Sequence, residues 1–127
     1  MAKVESIMLD GEMAPVSHYA HGTRAGDRLW ISGMVGVAAD GSIPADVVQQ
    51  FELALGTVDR VLRSQGGAPH NIVKVQIFLT DINDRPLINP VRERYFGRHR
   101  PASTLVEVSA LVAPAMKVEI EAEAVLD

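Results

Sequence analysis

Apolar and polar positions change period along the chain, and these changes divide it into helices and strands. Between Pro44 and Gln65 the apolar residues recur at steps of three and four, which puts them on one face of a helix. Gln49 and Gln50 fall on the opposite, polar face. Gly66-Gly67 ends the helix, because glycine readily adopts the left-handed conformation found after a helix C-terminus. The apolar face consists of Val47, Phe51, Ala54, Leu55, Val58, Val61 and Leu62.

Alternation of apolar and polar residues predicts strands on both sides of this helix. From Asn71 to Thr80, Val73, Val75, Ile77 and Leu79 alternate with polar residues, and Phe78 makes the second face partly apolar. This strand is therefore predicted to lie in the middle of a sheet. The other predicted strands are His18–Ala25 and Arg28–Gly33, joined by a hairpin turn at Gly26-Asp27, and Thr104–Ser109 and Met116–Leu126.

A short second helix is predicted before Gly97. Asn89-Pro90 is typical of an N-cap followed by proline at the first helical position, so this helix is predicted to run from there to about Phe96. The predicted order is two strands, with room for a third short one at the Asp40-Gly41 turn, then helix, strand, helix and two strands. Two helices on one face of a sheet leave its other face for water, a cleft or a neighbouring subunit.

The last predicted strand indicates what that other face carries. Glu119, Glu121 and Glu123 point to one side together with Lys117. Three carboxylates spaced two residues apart would repel one another in a dry core, so this side is predicted to meet water, a cleft or another subunit. The opposite side carries Val118, Ile120, Ala122 and Ala124.

Composition narrows the class of protein. A chain of 127 residues is expected to form one domain over residues 1–127, and a hydrophobic content of 47% excludes a disordered chain. The absence of cysteine excludes disulfides, thiolate nucleophiles and cysteine-ligated zinc. No apolar run is long enough for a signal peptide or a membrane-spanning helix, so a cytoplasmic protein without a membrane partner is expected.

Charge argues against a nucleic-acid partner and against a metal site. The net charge is −4, whereas binding to phosphates requires a basic face. The one basic concentration, between Arg92 and Arg100, is typical of a solvated helix face and the loop after it. His18 and His21 lie close together, but no acidic residues stand at metal-ligand spacing beside them, so no metal is expected.

A series of short motifs follows one another along the chain: Ser17-His18-Tyr19, Leu29–Gly33, Gln49–Leu62, Val73–Asp81, Asn89, Tyr95-Phe96, Arg100-Pro101-Ala102, Val106-Glu107-Val108 and Val118–Ala122. In order and spacing these motifs resemble the Rid (YjgF) family of imine and enamine deaminases. The resemblance implies a chorismate-mutase-like α+β subunit with a mixed sheet of about six strands and two helices packed on one face. It also implies a homotrimer with small-molecule sites between subunits, and hydrolysis without a metal or organic cofactor.

The resemblance also implies site residues. Glu119 matches the family glutamate that positions or activates the attacking water. Hydrolysis of a protonated imine requires a placed water and a nearby carboxylate, so this residue type suits the chemistry. Each matched residue has a structural alternative: a solvated strand carboxylate, an edge tyrosine, a strand end or a helix cap. The matched positions expected to line the substrate site are Tyr19, Ser32, Gly33 and Asn89.

One motif departs from the family pattern. The segment His99–Val108 resembles the family's Pro-Ala-Arg-Ser or Pro-Ala-Arg-Thr signature, but Ser103 occupies the position of the arginine that grips the substrate carboxylate. Arginine forms two parallel charge-assisted hydrogen bonds, whereas serine offers one neutral donor. This loss is expected to weaken binding of a 2-iminocarboxylate by about 2–4 kcal/mol. Met34, in place of a frequent glutamine, and Leu105 are expected to make the substrate pocket more apolar.

Three explanations for Ser103 stay open from the sequence. The substrate lacks the α-carboxylate, or another cation (Arg92, Arg94 or Arg100) replaces the missing one, or hydrolysis has been lost and ligand binding kept. The leading hypothesis is hydrolytic deamination of a small reactive imine or enamine to a carbonyl compound and ammonia, with a substrate other than a standard 2-iminocarboxylate. The alternative is a non-catalytic trimeric protein that binds a small ligand or has a regulatory role. An endoribonuclease is disfavoured by the acidic balance.

Overall fold

The hairpin at Gly26-Asp27 is part of a six-stranded sheet in the computed structural model, which describes residues 3–127. The strands are β1 (Val4–Ile7), β2 (Gly22–Ala25), β3 (Arg28–Val35), β4 (Ile72–Leu79), β5 (Ala102–Glu107) and β6 (Val118–Val125). The helices are α1 (Val47–Ser64) and α2 (Arg85–Phe96), with single 3₁₀ turns at Pro69–Asn71 and Ile82–Asp84. The spatial order of the strands is β1-β2-β3-β6-β4-β5.

The connections explain the mixed character of the sheet. β4 and β5 are parallel and are joined by a crossover that contains α2, as a parallel pair requires. The C-terminal strand β6 lies between β3 and β4 and is antiparallel to both. The predicted mixed sheet with two helices on one face is therefore confirmed, and so is the predicted central position of β4.

One face of the sheet and the apolar face of α1 form the core. Phe51, Val58 and Leu62 of α1 have no solvent exposure. They join buried side chains from all the central strands, among them Leu29, Val75, Ile77, Val118 and Ile120. The predicted apolar face of α1 is confirmed, as is the predicted alternation along β6. No helix within residues 3–127 combines the length and the apolar character that crossing a membrane requires.

Two predicted boundaries, one strand that was not predicted and the predicted inward position of Val73 differ between sequence and structure. β2 begins at Gly22 and not at His18, and the N-terminal strand β1, which pairs with it, was not predicted. α2 begins at Arg85, so Asn89 lies inside the helix and does not cap it. Pro86 stands in the first turn of α2, where a backbone N–H would have no partner within the helix, so proline removes no hydrogen bond there. In β4 a register shift between Ile72 and Lys74 turns Val73 out to solvent.

Gln50 was predicted on the polar side of α1, and that prediction is wrong. Its side chain is fully buried, and its amide is satisfied at both ends. Nε2 donates to the carbonyls of Pro44, at 2.7 Å, and of Ala115, at 3.0 Å, while Oε1 accepts from the backbone N–H of Lys117 at 2.8 Å. Gln50 thus fixes the first turn of α1 to the segment that leads into β6.

The second face of the sheet is not covered by any element within residues 3–127. Glu119 and Glu121 are half-buried on this face, and Glu123 is exposed, as the alternation predicted. Trp30, opposite Glu123, is 40% exposed, and Val106, on the same face of β5, is 41% exposed. This face therefore combines carboxylates with exposed apolar side chains.

Candidate active site

A bulge in β3 shapes the surroundings of Glu119. Ile31 pairs with Ala122 and Met34 pairs with Ile120, so two residues of β3, Ser32 and Gly33, face a single residue of β6. A Cβ atom on Gly33 would lie 2.5 Å from Oε2 of Glu119. The missing side chain of Gly33 therefore provides the space that the Glu119 carboxylate occupies.

The environment of Glu119 favours its protonated form more than water does. Burial raises the pKa of the Glu119 carboxyl, and the negative charge of Glu121, two residues along the same strand, raises it further. In the neighbouring strand β4, Glu119 pairs with Phe78, whose side chain contributes no hydrogen-bonding group. A carboxyl whose pKa is shifted toward neutrality exchanges protons more readily at physiological pH than an ordinary glutamate does.

Ser32 connects this bulge to Tyr19. The Ser32 hydroxyl donates to the carbonyl of Ala20 at 2.6 Å, and its backbone N–H donates to the carbonyl of His21 at 3.0 Å. Both bonds hold the irregular segment that carries Tyr19, whose side chain is 47% exposed. Ser32 therefore has an observed role in placing Tyr19.

His21 fixes the chain that precedes this segment. Its ring is buried, its Nδ1 accepts from the backbone N–H of Leu9 at 3.0 Å, and its Nε2 lies 2.9 Å from the carbonyl oxygen of Met13. A carbonyl only accepts and an N–H only donates, so these partners assign the neutral tautomer with its proton on Nε2. Both ring nitrogens are occupied, which leaves neither available to a ligand.

A cleft of about 690 Å³ opens beside the bulge, between α1 and the loops around residues 10–15 and 37–41. Tyr19 and Gly33 line it, and its volume lies within the range of small-molecule sites. An ion pair between Glu12 and Arg60 crosses its wall, with Nη2 of Arg60 3.1 Å from Oε2 of Glu12. This pair could not be predicted from the sequence, because 48 residues separate its members and no local pattern links them.

A second group of predicted site residues lies at the other edge of the sheet. Ser103 pairs with Val75 and Leu105 pairs with Ile77, so both belong to the helix-covered face of β5. The Ser103 hydroxyl accepts a hydrogen bond from Nη2 of Arg92 in α2 at 2.9 Å. Asn89 precedes Arg92 by three residues and thus lies next to it on the helix surface.

Within one chain, the residues around Glu119 and the residues around Ser103 do not form a single site. Glu119 is on β6 and Ser103 is on β5, with β4 between them, and Ser103 lies in register with Ala122, three residues along β6 from Glu119. Two strand spacings across the sheet and three residues along it place the two backbones about 14 Å apart. The two side chains also belong to opposite faces of the sheet. Met34 is buried opposite Ile120 and reaches one wall of the cleft, and Leu105 packs against the core, so neither lies beside Glu119.

Gly33→Ala is expected to lower activity at Glu119 while the protein stays folded. The new Cβ would strike the end of a flexible side chain, so the carboxylate moves and the backbone of β3 does not have to. For the role that the resemblance implies for Glu119, placing the attacking water, this displacement is expected to lower kcat by about 10- to 100-fold. The measurement is kcat together with the thermal unfolding midpoint. Gly41→Ala is a control for substitution of a glycine near the cleft, because a Cβ there would meet no atom within 4 Å. The positive φ of 88° at Gly41 makes this the more strained change for the backbone.

Within the part of the chain that the structure describes, no group of three or more histidine or acidic side chains is arranged to hold a metal ion. The fold and the site together define an α+β subunit with a half-buried glutamate packed against Gly33, one of the residues that line the cleft. The sequence model described as Endoribonuclease L-PSP matches residues 10–126, and the chain therefore belongs to this family, the Rid (YjgF) family.

Named relatives agree with this membership. The chain is 33% identical over 125 residues to the 2-iminobutanoate/2-iminopropanoate deaminase of Escherichia coli K12, a match that covers 95% of this chain and 97% of the relative. The structure of the E. coli YjgF gene product superposes with a TM-score of 0.88 at 33% identity and covers 95% of this chain and 98% of that one. E. coli TdcF with bound serine superposes with a TM-score of 0.89 at 32% identity, covering 97% of this chain and 99% of that one.

Proposed function

We propose that this protein is a cytoplasmic hydrolase that deaminates a small reactive imine or enamine without a cofactor. The observation that carries this proposal is Glu119, a half-buried carboxyl with a raised pKa that fills the space left by Gly33, a residue that lines the cleft. The relative that bears the name 2-iminobutanoate/2-iminopropanoate deaminase supports the same chemistry.

The reaction needs few groups. Glu119 holds a water near the electrophilic carbon of a protonated imine and accepts a proton as the water oxygen bonds to that carbon, which gives a carbinolamine. Glu119 then returns this proton to the nitrogen. As the C–N bond breaks and the C=O bond forms, Glu119 accepts the proton of the carbinolamine hydroxyl, which it passes to the departing ammonia, so the carbonyl compound and ammonium leave. A carboxyl whose pKa lies closer to neutrality suits both steps, because it must first accept a proton and then return it.

The substrate is proposed to differ from a standard 2-iminocarboxylate. Ser103 provides no positive charge where the family arginine stands, and Leu105 beside it in β5 is apolar. A site built in this way loses the two parallel charge-assisted hydrogen bonds that fix an α-carboxylate. An imine that is neutral, or that carries its acidic group elsewhere, is expected to react faster.

The active assembly is proposed to be a homotrimer with sites between subunits. In one chain Glu119 and Tyr19 are separated from Ser103 and Asn89, so a site that uses both groups requires a second copy. The uncovered sheet face, with exposed Trp30, supplies apolar surface for such contacts. Light scattering that gives the mass of three chains would agree with this assembly, and the mass of one chain at micromolar concentration would contradict it.

Ammonia release from freshly generated imines tests the proposed function. Imines with and without an α-carboxylate are compared with and without protein, and acceleration of either kind supports the hydrolase. Equal rates with and without protein across both kinds would refute it and favour the non-catalytic ligand-binding alternative. Incubation with single-stranded RNA at low salt, where no cleavage is expected, tests the activity that the family description names.

Glu121→Gln is expected to shift the acid limb of the pH–rate profile to lower pH. Water activation requires ionised Glu119, so the rate rises with pH through the pKa of that carboxyl. Removal of the Glu121 charge lowers this pKa, although the larger effect of burial remains. The profile of kcat/KM measures the shift, and Asp127→Asn, at the exposed C-terminus, should leave the profile unchanged.

A further inference from the structure

Arg92 differs from the other arginines that the structure shows in ion pairs. Arg60 pairs with Glu12, Arg63 with Asp59, and Arg94 lies 3.8 Å from Glu52. Within residues 3–127 no carboxylate forms an ion pair with Arg92, and the hydrogen bond of its guanidinium is to the neutral hydroxyl of Ser103. Arg100, the remaining candidate cation at this edge, is exposed.

The surroundings of Arg92 make its charge available to an anion. The side chain is half-buried, and burial alone, without a compensating acidic neighbour, lowers the pKa of its guanidinium. A partly desolvated guanidinium with one neutral acceptor retains several unused donors, and their planar arrangement matches a carboxylate or a phosphate. Asn89, one turn earlier on α2, adds an amide to the same surface.

We propose that Arg92 binds an acidic group of the substrate and that its position selects imines whose acidic group is remote from the C=N carbon. This inference rests on the proposed deaminase function and on the proposed site between subunits, because Ser103, which Arg92 contacts, and Glu119 of one chain lie on opposite faces of the sheet. An arginine at position 103 would carry its guanidinium several bonds beyond its own Cβ. Arg92 instead reaches in from α2 and holds its guanidinium against Oγ of Ser103, one bond from Cβ. The positive charge is thus held closer to β5 than the guanidinium of an arginine at position 103 would be.

This displacement sets the length of the substrate. An imine carbon placed at Glu119 and an α-carboxylate are separated by a single bond, which is too short to bridge the added distance. A carboxylate at the far end of an aliphatic imine bridges it, and Leu105, half-buried on the same face of β5 as Ser103, offers apolar surface to methylene groups. Arg92 is then a specificity-determining residue. The replacement of the family arginine by Ser103 moves the anion subsite without removing it.

Three imines of equal chain length test this inference: one neutral, one with an α-carboxylate and one with a terminal carboxylate. Arg92→Met is expected to lower kcat/KM for the terminal-carboxylate imine roughly 10- to 100-fold, mainly through KM, because a charge-assisted interaction is lost. Activity on the neutral imine should be unchanged, which also shows that the variant is folded. Arg94→Met, in the same helix, is the matched control and should behave like the wild type.

A double variant tests the geometry. Arg92→Met combined with Ser103→Arg is expected to move the preference to the α-carboxylate imine, because the guanidinium then extends from β5. Equal losses on all three imines, or no loss on the terminal-carboxylate imine, would overturn the role of Arg92 and leave the deaminase function standing. If the wild type hydrolyses none of the imines, the proposed function fails by itself. Calorimetric titration with a saturated terminal carboxylate then decides: weaker binding by Arg92→Met supports the anion subsite, and equal binding refutes it.

Discussion

Glu119→Gln is expected to remove imine hydrolysis, with kcat lower by about 10²- to 10⁴-fold, the usual contribution of a positioned acid–base group. Glutamine matches the size of glutamate and can still fill the space beside Gly33, but it cannot take a proton from water. The effect is therefore expected in kcat more than in KM. Single-turnover measurements on a neutral imine, which does not depend on the anion subsite, give the cleanest comparison.

The same substitution is expected to stabilise the folded protein at neutral pH. Because the pKa of Glu119 is raised in the folded state, the fold disfavours the charged carboxylate that the unfolded chain tolerates. Glutamine carries no charge and avoids this cost. At pH values between the ordinary glutamate pKa of 4.5 and the raised pKa, the folded wild type binds more protons at Glu119 than the unfolded chain does. The stability advantage of the variant should therefore shrink as pH falls through this window and vanish below it.

Glu123→Gln is the matched control, since Glu123 lies on the same strand face but is exposed. It should change neither kcat nor the stability at neutral pH. Urea unfolding at several pH values, at one protein concentration, measures both variants. Full activity of Glu119→Gln would show that this carboxyl does not activate the water, and a loss of stability at neutral pH would contradict the desolvation of its charge.

The parts of the fold that depend on short-range periodicity could be predicted from the sequence. The apolar faces of α1 and β6 repeat over enough residues that no tertiary information is needed. The start of α2 could not be predicted in this way, because Asn89-Pro90 and the earlier Arg85-Pro86 offer competing start signals. The place of β6 between β3 and β4 depends on long-range pairing, which no local pattern encodes.

The candidate site, too, could be predicted from the sequence only in part. Family resemblance indicated both Glu119 and Gly33, but only the bulge in β3 explains why they belong together. The separation of Ser103 from Glu119 was not visible in the sequence, since it follows from the sheet order and from the face that each residue occupies. Arg92 was one of three candidate cations on the basis of charge alone, and its contact with Ser103 distinguishes it from Arg94 and Arg100.

Gln50→Glu is expected to destabilise the protein by about 3–5 kcal/mol, the effect of disrupting a buried polar network. The change is nearly isosteric, so no cavity forms. It removes the donor that serves the carbonyls of Pro44 and Ala115 and places a second oxygen, with negative charge, against them. The bond from the Lys117 N–H to the remaining oxygen does not compensate for two unsatisfied carbonyls.

The adjacent residue provides the control, because Gln49→Glu makes the same chemical change at an exposed position in the first turn of α1. A negative charge near a helix N-terminus is slightly favourable, so Gln49→Glu should be neutral or stabilise by a few tenths of a kcal/mol. Unfolding by urea at a fixed protein concentration separates the two variants. Only a side chain that both donates and accepts hydrogen bonds at position 50 can satisfy two carbonyls and an N–H at once. Equal stability of Gln50→Glu and Gln49→Glu would therefore mean that the buried amide does not hold α1 to the segment before β6.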